Sequence, residues 1–156
     1  MKKHDYQITL EWTGNKGSGT FDYRSYSRDH LTKAKGKSAE ILGSSDPNFR
    51  GDNSRYNPEE LFLSSLSSCH MLWFLHLCSV NDVIVLEYSD NPKGTMVENE
   101  DGSGQFSKVV LYPDVKVSKA SMIEKVNELH HKANKMCFIA NSCNFEIEHV
   151  SKCQEI

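Results

Sequence analysis

Five cysteines supply the reactive atoms of this sequence: Cys69, Cys78, Cys137, Cys143 and Cys153. A cysteine attacks an electrophile or binds a metal as its thiolate. Cys69 sits in Ser67-Ser68-Cys69-His70, with Ser64 and Ser65 one turn earlier. These small residues leave room for another segment to approach closely. Cys78 follows nine residues later. On a helix nine steps turn roughly 900°, so Cys78 points away from Cys69 and the two cannot pair. Cys137 lies in Met136-Cys137-Phe138-Ile139, just after a helical pattern, where a thiol at a helix end can approach a buried thiol elsewhere. Cys143 and Cys153 are an even number of residues apart, which keeps them on one face of a regular strand. They read as packing or surface thiols. By spacing alone, each of the five is also explained as a small core hydrophobe.

Histidine offers a second chemistry. His70 and His76, or His130 and His131, could join Cys69 and Cys137 around a metal. No C-x2-C or H-x3-H spacing occurs, so no preorganised zinc signature exists. His76 stands seven residues after Cys69, on the same helical face, and could tune that thiol. A hydrogen-bonded core histidine accounts for it equally well. His130 and His131 diverge by about 100° on a helix, so at most one faces inward. The sequence contains no G-x-S-x-G, G-x4-G-K-[ST] or G-x-G-x-x-G. No cofactor is expected.

The elements that must hold these side chains alternate between strand and helix patterns. Gln7 to Trp12 alternates polar and apolar residues, as a half-buried strand does. Gly14-Asn15-Lys16-Gly17 is a turn. Gly19 to Tyr26 reads as a second strand, and residues 29 to 42 leave room for a third. Gly43 to Asn57 is dense in turn formers. Asn57, Pro58, Glu59 and Glu60 form a helix start, with a capping side chain, a first-turn proline and two carboxylates at the positive dipole end. From Leu61 to Val80 there is no Asp, Glu, Lys or Arg. That length raises a membrane span. Five serines, two histidines and the lack of basic flanks favour a central helix covered on most sides by sheet or by a partner chain. Val83 to Tyr88 and Gly94 to Val97 are strands. A turn at Glu100-Asp101-Gly102-Ser103-Gly104 leads into Phe106 to Val117, the second arm of a hairpin. Ser118 or Ser121 can cap a second helix, with Met122, Val126, Leu129 and Ala133 at helical spacing, ending near Lys135. Asn144 to Val150 is the last strand. Helices interrupting antiparallel strands indicate an α+β fold.

The chain has 156 residues, with 38% hydrophobic and 25% charged, the composition of one folded domain over 1–156. A net charge of −3 gives nucleic acid no basic face to meet. No apolar segment follows Lys2-Lys3, so no signal peptide is expected. An odd cysteine count then points to a reducing cytoplasm.

Asn57-Pro58-Glu59-Glu60-Leu61, with Cys69 ten residues after Glu59, resembles the OsmC/Ohr family of thiol peroxidases. Cys137 matches the family's second cysteine. Trp12-Thr13-Gly14 and the hairpin between the helices agree, so the likeness covers nearly the whole chain. The resemblance implies an intertwined homodimer, with antiparallel sheets around two central helices. It implies reduction of organic hydroperoxides, and sometimes of hydrogen peroxide, by a two-cysteine cycle. Cys69 would become a sulfenic acid, Cys137 would close a disulfide with it, and a dithiol such as a lipoyl group would restore both. A cation must offset desolvation of the attacking thiolate. In the family this is an arginine held by a glutamate. Glu59 matches the glutamate, and Arg50 is the chosen arginine. Arg28 and Arg55 are alternatives; each of the three also reads as a solvated surface charge. Ten helical residues span about 15 Å, so Glu59 cannot touch Cys69 along one straight helix. Either the helix breaks, or Glu59 acts through Arg50, or a partner subunit contributes. Met71, Trp73 and Phe74 would favour organic over small hydrophilic peroxides, or simply build core. Phe138, where many members have proline, and Ser68-Cys69-His70, where Cys-Phe is common, mark a divergent branch. The alternative function is a non-enzymatic module of this fold that binds a small apolar ligand or a metal.

Overall fold

The computed structural model describes residues 2–156 and divides into two compact units, Met1–Leu61 and Phe62–Ile156. In the first unit, β1 (Thr9–Trp12), β2 (His30–Lys33) and β3 (Ile41–Gly43) form an antiparallel sheet in that order. Trp12 stands opposite His30, and His30 opposite Gly43. The segment expected as a strand from Gly19 to Tyr26 is instead a series of turns. Local side-chain bonds capture its backbone: Asn15 Oδ1 accepts from the Gly17 and Gly19 amides at 2.9 and 3.0 Å, and Asp22 Oδ1 accepts from Arg24 at 2.7 Å. Short polar side chains compete with a strand ladder in this way. Gly14 is needed where the chain turns back. A Cβ there would lie 1.9 Å from the Ser27 carbonyl oxygen, to which the Trp12 indole donates at 2.9 Å.

The helix α1 (Pro58–Ser79) begins as its sequence dictates. Asn57 Oδ1 accepts from the Glu60 amide at 2.8 Å, and the Glu60 carboxylate accepts from the Asn57 amide at 3.0 Å. This reciprocal cap satisfies two backbone donors. Asn57→Ala should therefore cost about 1 kcal/mol of stability, measured as a lower urea midpoint. A midpoint equal to that of the parent would show the cap to be idle. α1 is unbroken, so of the alternatives for Glu59 and Cys69 the helix break is set aside.

The second unit carries two mixed three-stranded sheets. One has the order β4 (Val85–Asp90), β7 (Pro113–Val117), β9 (Lys152–Glu155). The other has β5 (Lys93–Glu98), β6 (Gly104–Leu111), β8 (Ile147–His149). Each pairs its first two strands antiparallel and adds the third in parallel. The single arm expected from Phe106 to Val117 is two strands, because Pro113 brings no amide to a ladder and the Tyr112 amide donates to Asp90 Oδ1 at 2.7 Å. The strand expected from Asn144 to Val150 shortens to β8, and β9 follows beyond it. Cys143 ends a 3-10 turn and Cys153 lies on β9, so they share no strand.

The helix α2 (Ile123–Met136) buries Val126, Leu129, His130 and Ala133. Neither Ser118 nor Ser121 caps it. A 3-10 turn at Ala120–Met122 leads in, and Ser118 Oγ meets Met122 Sδ at 3.7 Å. From α1, Leu66, His70, Phe74, Leu77 and Cys78 are buried, one stripe at helical spacing. Phe74, Leu77 and Cys78 pack with Val115, Val117, Val126, Leu129 and Ala133. Leu66 packs with Val109, Leu111 and Ile147. Ser64, Ser68, Leu72 and His76 lie on the open flank. Within one chain, α1 is therefore covered along one stripe and not on most sides, and by length and composition alone it also suffices to cross a membrane.

Candidate active site

Cys69 projects from the middle of α1 and is half-buried; Cys137 closes the C-terminus of α2 and is buried. The Cys69 thiol lies close enough to Cys137 to perturb it, and both are free thiols. The chain thus brings together two cysteines that are 68 residues apart in sequence. The turn after α2 fixes the Cys137 sulfur, which accepts from the Ala140 amide at 3.4 Å, while the Cys137 carbonyl accepts from Asn141 at 3.0 Å. Burial first, and then the adjoining Cys69, hold the Cys137 thiol well above its ordinary pKa. Around Cys69, Ser67 Oγ donates to Asp90 Oδ2 at 2.6 Å, tying this turn of α1 to β4.

A cleft of about 290 Å³ is lined by Leu72, Trp73 and His76. With Cys69 these residues follow the i, i+3, i+4, i+7 pattern of one helical face. The Trp73 ring meets Phe138 edge-on at 5.7 Å and His76 at 5.9 Å. The apolar wall beside the thiols therefore comes from Leu72, Trp73 and Phe138. Phe74 belongs to the core, not to this wall.

The remaining cysteines have other surroundings. Cys78 is buried in the core, where burial and the nearby Cys153 push its thiol up to about 12. Cys143 donates to the Ile139 carbonyl at 3.3 Å.

In the first unit, Arg50 is exposed in a left-handed conformation, φ 65°, with its guanidinium 5.8 Å from the centre of the Tyr23 ring. Arg28 lies over Tyr23 and Tyr26, at 4.3 and 4.2 Å, and donates to both their carbonyls. Arg55 is the most constrained of the three. It pairs with Asp52 at 3.5 Å and Asp29 at 3.9 Å, and its Nη1 is buried without a partner among the described residues. Glu59 is half-buried and forms an ion pair with none of them.

Among the described residues no three His, Cys, Asp or Glu side chains are arranged to hold a metal ion. The histidines form a different structure, which the spacing argument missed. His70 Nε2 and His130 Nδ1 are 2.9 Å apart, both rings wholly buried. His149 approaches both, at 5.5 and 6.0 Å between ring centres. The signal was present in the buried stripe: His70 sits four residues from Leu66 and from Phe74.

A family model of OsmC-like proteins matches residues 51–151, which include both cysteines and α1. The chain belongs to the OsmC-like family. It is similar to an OsmC-like protein of unknown function from Vibrio cholerae, at 33% identity over 96% of this chain and 100% of that one, with a TM-score of 0.85. It shares its fold with an organic hydroperoxide resistance protein from Elizabethkingia anophelis, at 20% identity over 99% and 100% of the two chains, TM-score 0.69. It shares it too with the organic hydroperoxide resistance protein OhrB of Bacillus subtilis, at 16% identity over 96% and 98%, TM-score 0.60. No curated protein matches the chain. The α+β architecture read from the sequence is the architecture of this OsmC-like chain.

Proposed function

We propose that this OsmC-like protein is a two-cysteine peroxidase that reduces organic hydroperoxides. The observation that carries the reading is the closeness of Cys69 to Cys137, with the cleft residues Leu72, Trp73 and His76 on the same face of α1 as Cys69. The Cys69 thiolate attacks the terminal peroxide oxygen. The O–O bond breaks, Cys69 becomes a sulfenic acid, and the departing alkoxide takes a proton to leave as the alcohol. The Cys137 thiolate then attacks the Cys69 sulfur, and the S–S bond forms as hydroxide departs and is protonated to water. A dithiol donor, such as a lipoyl group, reopens the disulfide by exchange. The half-exposed position of Cys69 admits substrate, while the burial of Cys137 reserves it for its neighbour.

By the family pattern the thiolate-stabilising role falls to an arginine, with Arg50 the candidate and Arg28 and Arg55 the alternatives, and the same pattern assigns Glu59 to hold it. A homodimer in the cytoplasm completes the reading. The uncharged open flank of α1, with Leu72 63% exposed, suits a second copy of the chain.

Consumption of cumene hydroperoxide, compared with hydrogen peroxide and with dihydrolipoamide as donor, tests the proposal. Faster turnover of cumene hydroperoxide, with a Cys69–Cys137 disulfide found by mass spectrometry when donor is withheld, is the expected result. Intact thiols after peroxide treatment would overturn it and leave the cleft as a binding site for an apolar ligand.

A further inference from the structure

We propose that His70 and His130 form an acid-sensitive latch between α1 and α2, a role beyond the peroxide chemistry. The two rings are parallel within 4° and joined by the 2.9 Å bond. His130 also stacks flat on Phe74, with ring centres 3.9 Å apart. Thus α1 grips α2 through Phe74, which stacks on the face of His130, and His70, which meets the edge of His130, with no solvent contact at either histidine.

The bond between them needs one neutral ring to donate and the other to accept. If both rings are protonated, both facing nitrogens are donors and the bond is lost. The outer nitrogens, His70 Nδ1 and His130 Nε2, are buried without partners among the described residues. Nothing there accepts the extra proton of an imidazolium. The titratable groups that face the pair are His149 from β8, His131 from α2 itself and, across Phe74, Tyr88 from β4. None of them is a carboxylate that could stabilise a buried cation. Each histidine that gains a proton repels the next.

Burial first, and then the neighbouring histidines, lower His70 to about 4 and His130 to about 3. A released histidine titrates near 6.5. The closed pair therefore supports the fold fully above pH 6.5. That support is lost as pH falls from 6.5 towards 4, because the open state takes up two protons that the closed state refuses. Two such groups raise the opening constant by roughly a hundred- to a thousandfold between pH 7.5 and 5.0. Because Cys69 precedes His70 on α1 and Cys137 ends α2, opening the latch parts the two thiols.

Urea unfolding at pH 7.5 and 5.0 tests the latch without peroxide turnover, so its outcome is independent of the peroxidase reading. The parent and a His4→Gln control should show the hundred- to thousandfold rise in the unfolding constant. The double variant His70→Gln/His130→Gln should show less than about a tenfold rise. An equal rise in the double variant would overturn the proposal. Should that variant fail to fold, nitrogen NMR of the parent's histidines decides. Two rings that stay neutral in the folded protein down to the acid transition support the latch. Two rings that titrate near 6.5 with the fold intact refute it.

Discussion

Replacing Cys69 with serine should reduce peroxide consumption to the rate without enzyme, a loss of at least about 10³-fold. Serine keeps the size of the side chain, but its hydroxyl does not ionise near neutral pH and is a far weaker nucleophile than a thiolate. Cys137→Ser should behave differently. The first turnover should survive, because peroxide attack needs only Cys69. Steady-state turnover should stop, and mass spectrometry should find Cys69 driven to sulfinic and sulfonic acid, since nothing intercepts the sulfenic acid. Stopped-flow mixing followed by mass analysis separates the two steps. In the parent, the disulfide-forming step should quicken with pH. Burial holds the Cys137 thiol up even after Cys69 has become an uncharged sulfenic acid, so the attacking thiolate is scarce at pH 7 and rises about tenfold per pH unit. A Cys137→Ser variant that cycles as fast as the parent would assign resolution to another thiol. A Cys69→Ser variant that retains turnover would remove the mechanism.

The pairing of Cys69 with Cys137 was legible in the sequence only through the family pattern. Residue spacing excluded Cys78 as a partner for Cys69, and the core position of Cys78 shows why that exclusion held. Spacing could not select among the other three, because the fold brings α1 and α2 together through contacts distant in sequence. Both helices were readable because their signals are local. Asn57, Pro58 and Glu60 build the start of α1, and Val126, Leu129 and Ala133 mark the inner face of α2. The strands were less readable where polar side chains could satisfy backbone groups locally. Gly19 to Tyr26 has the Thr, Tyr and Phe of a strand, yet Asn15, Asp22 and Ser25 fold it into turns. The histidine pair escaped notice for the opposite reason. His70 and His130 are polar by type but occupy core positions, and only their mutual bond makes that burial tolerable. Arg50 shows the limit of motif matching. A loop residue with φ 65° stacked beside Tyr23 has a position that no spacing rule specifies.

Phe74→Ala should be the most damaging single truncation on α1. Its ring is wholly buried, stacks on His130 and lies 5.8 Å from Tyr88. Removing such a ring from a packed core costs about 3–5 kcal/mol, combining lost transfer energy with the cavity left behind. Against a total stability of roughly 5–15 kcal/mol, that loss moves the urea midpoint far toward zero. Leu72→Ala, two residues away on the open flank, removes nearly as much apolar volume but should shift the midpoint of an isolated chain by less than about 0.5 kcal/mol equivalent. The contrast also tests the proposed dimer. If a second copy covers the α1 flank, Leu72→Ala should lower stability more at high protein concentration than at low, because subunit association stabilises the folded chain by mass action. Equal losses for the two variants at every concentration would mean that the buried stripe on α1 does not define the core.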